Sequence, residues 1–136
     1  MRTLPTNMPI VYTDGSCLAD LSGGWAFVVT VNGVLIATVR GREIDTTNNR
    51  MELTAVIEAL AFVRDDVTIR SDSMVTLNGA RGTWKRNANK DLWSRLDEVM
   101  AGRKGLITTF EHVKAHAGDV FNEMADRLAG TVHDQN

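Results

Sequence analysis

Two β-rich runs, W-A-F-V-V-T-V at 25–31 and V-L-I-A-T-V-R at 34–40, are separated only by Asn32 and Gly33. Both of these residues tolerate positive φ, so the pair specifies a tight hairpin and fixes the two runs as antiparallel neighbours. A third run, I-V-Y-T-D-G-S-C at 10–17, precedes them, and Gly23-Gly24 leads from it into the hairpin. The chain therefore opens with three antiparallel strands. In the first of them apolar and polar residues alternate into Asp14, after which Gly15 and Ser16 break the pattern. Asp14 then sits at or near the middle of a strand that soon turns, although an Asp-Gly pair beside a strand also reads as a hairpin turn.

From residue 48 the period changes. Leu53, Val56, Ile57, Leu60 and Val63 recur at helical spacing and form one buried face. Asn49 is a natural N-cap with Glu52 three residues on, a capping-box-like acid in the first turn. Glu52 also shares a side with Val56, Ala59 and Val63, at the margin of the apolar face, from where its carboxylate can look toward the sheet. Next, V-T-I-R-S-D-S predicts a short strand ending at Asp72, with Ser73 opening a brief helix to about Asn78 that Gly79 and Gly82 end. Asp72 and Ser73 suit helix caps, yet a carboxylate just past the carboxyl end of a strand is also where α/β sheets place ligands. The one concentrated basic stretch follows, with Arg81, Lys85, Arg86 and Lys90 around Trp84: a solvated loop or a phosphate-contacting edge. Leu92, Trp93, Leu96, Val99 and Met100 give another amphipathic helix, 106–113 a last strand, and 114–119 (K-A-H-A-G-D) a loop holding His116. A final helix carries Phe121, Met124, Ala125, Leu128 and Val132 on one face, with Asp126 near its edge. The order is βββαβααβα, an α/β architecture.

A length of 136 residues fits one domain over 1–136, with 1–8 and 133–136 as frayed termini. No apolar run approaches bilayer length, and 1–9 lacks an apolar leader, so a cytoplasmic setting and no membrane association are expected. Cys17 is the only cysteine, which excludes an internal disulfide and any Cys-based zinc site. A net charge of −2 is not the footprint of a protein basic all over, so any nucleic-acid binding must be local.

Glu52, Asp72 and Asp126 each lie at the start or end of an element that could converge on Asp14. If they converge they repel, unless hard cations hold them. Magnesium prefers oxygen ligands, and two such ions clamp the entering and leaving oxygens of a phosphodiester, so the implied reaction class is metal-assisted phosphodiester hydrolysis.

The motifs Y-T-D-G-S-C, T-T-N-N-R-M-E-L, S-D-S and V-K-A-H-A-G-D-V-F-N-E-M-A-D-R-L-A, in this order and over nearly the whole of 10–129, resemble the type 1 ribonuclease H family. That resemblance implies a ribonuclease H-like fold, a mixed five-stranded sheet of three antiparallel strands and two parallel additions, flanked by helices. It further implies endonucleolytic cleavage of the RNA strand of an RNA/DNA hybrid, leaving 5′-phosphate and 3′-hydroxyl ends; a monomer is the default expectation. By the same likeness Asp14, Glu52, Asp72 and Asp126 ligate two Mg2+ ions, with Mn2+ as a substitute and Asp14 shared between them. His116 assists proton transfer or product release. Asn48, Asn49 and Met74 face the minor groove, Thr47 and Asn89 hold a phosphate of the DNA strand, and Trp84 joins the substrate contacts from the basic stretch. Gly15, Ser16, Cys17 and Glu52 lie near the RNA 2′-hydroxyls.

Two departures from the family pattern stand out. The long basic protrusion of many members is reduced to 81–90, which implies weaker hybrid affinity and a shallower salt dependence. The segment 18–22 lacks a Gly/Pro-rich turn and puts Asp20 where an Asn often meets substrate. The competing functional readings are a catalytically silent hybrid-binding module and a DNA-cutting nuclease of the same fold.

Overall fold

In the computed structural model the described residues are 8–115 and 117–131. The elements run β1 (Ile10–Cys17), β2 (Gly23–Val31), β3 (Val34–Glu43), α1 (Asn48–Phe62), β4 (Val67–Ser71), α2 (Met74–Arg81), α3 (Lys90–Ala101), β5 (Thr108–His112) and α4 (Val120–Thr131). The five strands form one sheet in the order β3-β2-β1-β4-β5. β1, β2 and β3 pair antiparallel, whereas β1–β4 and β4–β5 pair parallel. Asn32 and Gly33 both take positive φ, 52° and 76°, as the β2–β3 hairpin requires. Asp14 and Gly15 form no turn: both lie inside β1, opposite Ala26 and Trp25 of β2.

Alternation along the strands divides the core in two. Val11, Phe27 and Val29 face α1 and α3, meeting Leu53, Ile57, Leu60, Trp93 and Leu96. Tyr12 and Val28 face the other way, onto Ala125, Phe121, Met124 and Leu128 of α4. The helical face read from Leu53 to Val63 is buried throughout. Among the described residues no helix is long and apolar enough to cross a membrane.

Three local expectations are corrected. The N-cap of α1 is Thr47 rather than Asn49: the Thr47 side chain accepts from the Arg50 N–H at 3.2 Å, so the residue in the capping-box position is Arg50. Glu52 thus sits beyond the first turn and is no cap. The second helix runs through Gly79 to Arg81 and ends at Gly82, which takes the left-handed conformation at φ 79°. Gly79 is needed for packing, because a Cβ there would lie 2.3 Å from the Trp93 ring. Met8, grouped above with a frayed terminus, is half-buried and its Sδ accepts from the Thr68 hydroxyl at 3.1 Å. Residues 1–7 and 133–136, also expected to fray, and Val132 of the predicted α4 face lie outside the described residues.

Candidate active site

The site is built where the sheet forks. β1 and β4 pair in parallel only as far as Tyr12 and Arg70. Two residues on, in the same register and on the same side of each strand, come Asp14 and Asp72, the latter one residue beyond the end of β4. β1 stays paired with β2 out to Cys17, so Asp14 is held by a strand while Asp72 projects from a strand end. Strand alternation turns Gly15 toward α1. There the helix comes down onto bare backbone: a Cβ on Gly15 would lie 2.3 Å from both the Glu52 nitrogen and the Met51 carbonyl carbon. This close approach carries Glu52 across the strand to Asp14.

One carboxylate oxygen each from Asp14, Glu52 and Asp72 lies within 4.8 Å of the others. Asp14 is buried, and its Oδ1 accepts from the Gly15 N–H at 2.9 Å. Loss of solvation pushes its carboxyl up from 3.8 to about 7, with Asp126 and the charge of Asp72 acting in the same direction and Glu52 and the Gly15 N–H opposing. Burial also raises Glu52 well above its ordinary value, reinforced by the charges of Asp14 and Asp72. Oε2 of Glu52 is buried without a hydrogen-bond partner. An orphaned carboxylate oxygen in an all-oxygen, acid-only group fits a hard divalent cation, which would satisfy it and relieve the repulsion together.

Of the fourth acid, Asp126, α4 brings an exposed residue near enough to act on Asp14 through a side-chain hydrogen bond, at the margin of the tight group of three. His116 lies outside the described residues. Cys17 is half-buried and its thiol donates to the carbonyls of Leu18 and Thr46, 3.4 Å each. Ser16 is likewise half-buried at the end of β1. Thr47, Asn48 and Asn49 are exposed at the start of α1, and Met74 is exposed at the start of α2. Trp84 is exposed and lines a cleft of about 220 Å³ with Asn49, Val75, Lys85, Asn89 and Trp93. Asp20 accepts from the N–H and hydroxyl of Ser22, at 3.0 and 2.6 Å, and so braces its own turn.

The basic stretch proves to be partly committed inward. Arg86 forks onto Asp97 at 2.9 Å through both carboxylate oxygens, donates to the Gly79 carbonyl at 3.0 Å and lies 4.6 Å from the centre of the Trp93 ring. Arg81 bonds Asn78 and the Phe110 carbonyl. Lys85 and Lys90 are exposed. Arg86→Ala is therefore expected to lower stability by about 1–2 kcal/mol in urea denaturation, since it removes an ion pair, a carbonyl hydrogen bond and a cation–π contact together.

Sequence reasoning missed Arg50, which reaches across to Asp91 and Asn89. Its partners are 41 and 39 residues away, so no local spacing signals the pairing.

A model of the RNase H family matches residues 6–133. The ribonuclease H of Paracidovorax citrulli is 41% identical over 139 aligned residues, covering 90% of this chain and 92% of that protein. Among solved structures, RNase H1 from the halophilic archaeon Halobacterium salinarum is similar with a TM-score of 0.81 at 27% identity, covering 95% of this chain and 99% of that one. LC11-RNase H1, solved in complex with an RNA/DNA hybrid, shares the fold with a TM-score of 0.77 at 24% identity, over 90% and 94% of the two chains.

Proposed function

We propose, from the premise that this chain belongs to the RNase H family, that it is an endoribonuclease hydrolysing the RNA strand of RNA/DNA hybrids, as one catalytic domain acting as a monomer. The observation that carries the reading is the convergence of Asp14, Glu52 and Asp72, with a buried Glu52 oxygen left without a partner. Asp14, Glu52, Asp72 and Asp126 hold the metal, with Asp14 central. The chemistry that two Mg2+ ions, or Mn2+ in their place, supply when bound there is Lewis-acid polarisation of the scissile phosphate and neutralisation of charge on the entering and leaving oxygens.

The chain's own residues do the rest. Asp14, fixed by β1 and by the Gly15 N–H, gives the site its rigid member, and Glu52, carried by α1, closes it from the opposite side of the strand. The backbone of Gly15, Ser16 and Cys17, with Glu52, lies along the RNA 2′-hydroxyls and so distinguishes RNA from DNA. Asn48, Asn49 and Met74 orient the hybrid through its minor groove, Trp84 supports it from the cleft above α2, and Thr47 and Asn89 hold the DNA strand by a phosphate. His116 assists proton transfer or product release. The products carry 5′-phosphate and 3′-hydroxyl ends.

The test is cleavage of a hybrid labelled on its RNA strand, with Mg2+, with Mn2+ and with chelator, beside duplex DNA and duplex RNA. Metal-dependent cutting confined to the RNA of the hybrid is the expected result. Hybrid binding without cutting under either metal points to a silent recognition module, and cutting of duplex DNA to a different nuclease on the same fold.

A further inference from the structure

Where α1 and α3 begin, three side chains from distant parts of the chain interlock. Arg50 Nη1 donates to Asp91 Oδ1 at 3.0 Å and to Asn89 Oδ1 at 3.3 Å, while Nη2 donates to Asp91 Oδ2 at 2.7 Å. Asn89 adopts the left-handed conformation, φ 59°, and its side chain does not cap α3, the helix it precedes. It turns back to Arg50 instead. A guanidinium carries only donors, so it can face only the carbonyl end of the Asn89 amide, and both amide N–H groups are thereby sent the other way. Thr47 is set by the same segment. Its Oγ1 already accepts from the Arg50 N–H at 3.2 Å, which leaves its hydroxyl proton to donate elsewhere.

We propose that Arg50 is a positioning residue: gripped by Asp91, it fixes the Asn89 amide so that its N–H donors, with the Thr47 hydroxyl, meet a phosphate of the DNA strand. This rests on the reading above in which Thr47 and Asn89 take that phosphate. The charge balance supports it. Asp91 neutralises Arg50, and the guanidinium in turn holds the Asp91 carboxyl down at about 2, so the pair stays ionised and adds no net positive charge. With side-chain exposures of 30% and 65% it is a surface ion pair, a class that adds little to stability, so its removal leaves the fold intact. What the bidentate fork does supply is geometry, locking the first turn of α1 to the start of α3.

The test is steady-state hybrid cleavage over a series of NaCl concentrations for the wild type, Asn89→Gly, Arg50→Gln and Asp91→Asn. Gly keeps the left-handed backbone at residue 89. Each variant is expected to raise KM roughly three- to tenfold, the worth of one mis-aimed hydrogen bond, with kcat held within about twofold. The salt dependence of Arg50→Gln should match the wild type. If Arg50 bound phosphate itself, its loss would flatten the slope of log affinity against log salt by about 0.9. Asp91→Asn, by releasing a cation beside the DNA, would then lower KM. Either result overturns the proposal. A rise in KM confined to Asn89→Gly leaves the phosphate reading standing and removes the role of Arg50; no rise in Asn89→Gly removes both.

Discussion

Asp14→Asn is expected to cut hybrid cleavage on the order of 10³-fold and, in the same protein, to raise the stability of the metal-free form at pH 8. The loss follows from removing the central carboxylate of the group formed with Glu52 and Asp72. The gain follows from the cost of holding that carboxylate. Burial lifts Asp14 from 3.8 to about 7. A group whose folded pKa is raised contributes its stability in full below the unfolded value and loses it as pH rises through the folded one. The metal-free wild type should therefore weaken between about pH 4 and pH 8, by on the order of 2–4 kcal/mol from Asp14. Glu52, raised in the same direction, adds to the trend. Asn cannot ionise, so the variant is spared its part of that loss. Thermal unfolding in chelator at pH 5.5 and pH 8, then with Mg2+ restored, measures all of this. Mg2+ should recover the wild type at pH 8 and do much less for the variant. A wild type equally stable at both pH values in chelator would mean that the three acids ionise side by side without cost, against the burial and crowding described.

The second large effect is expected from one added methyl group. In Gly15→Ala the new Cβ would meet the Glu52 nitrogen and the Met51 carbonyl carbon at 2.3 Å and the Met51 Cβ at 2.7 Å. The first two are helix backbone, so no side-chain rotation relieves the clash, and α1 must lift from β1 as a body. Overpacking against backbone is expected to cost about 3 kcal/mol or more in urea denaturation. The shift also carries Glu52 away from Asp14, and a displacement near 1 Å at a reacting centre costs about 10²-fold in rate. Cleavage by the fraction that remains folded should fall by that amount. A Gly15→Ala protein with wild-type stability and rate would show that the helix does not need this approach, and that Glu52 reaches Asp14 by another route.

Much of this protein is legible in the order of its residues. Alternation into Asp14 and the β-rich runs 25–31 and 34–40, with Asn32-Gly33 between the last two, specify the antiparallel half of the sheet, and the 3.6-residue recurrence from Leu53 to Val63 specifies the buried face of α1. Both are local signals, written in residues a few positions apart, and tertiary packing has only to obey them. The resemblance carried by Y-T-D-G-S-C, S-D-S and the segments around Glu52 and Asp126 singles out the acids. Local patterns mislead where two outcomes share one signature. Asp14-Gly15 matches a hairpin turn but lies within β1, and Asn49 matches a cap that Thr47 supplies.

Only the tertiary structure decided how those acids meet. That Asp14 and Asp72 stand in register depends on parallel pairing between strands nearly 60 residues apart, and that Glu52 joins them depends on α1 resting on the bare backbone of Gly15. The same holds for the cations. Arg86 turns inward to Asp97 and Trp93, and Arg50 to Asp91 and Asn89, because charged side chains choose partners by distance in space. Sequence periodicity sets which face of an element is buried; the docking of elements sets which side chains meet across it, and that depends on long-range packing for which adjacent residues carry no code.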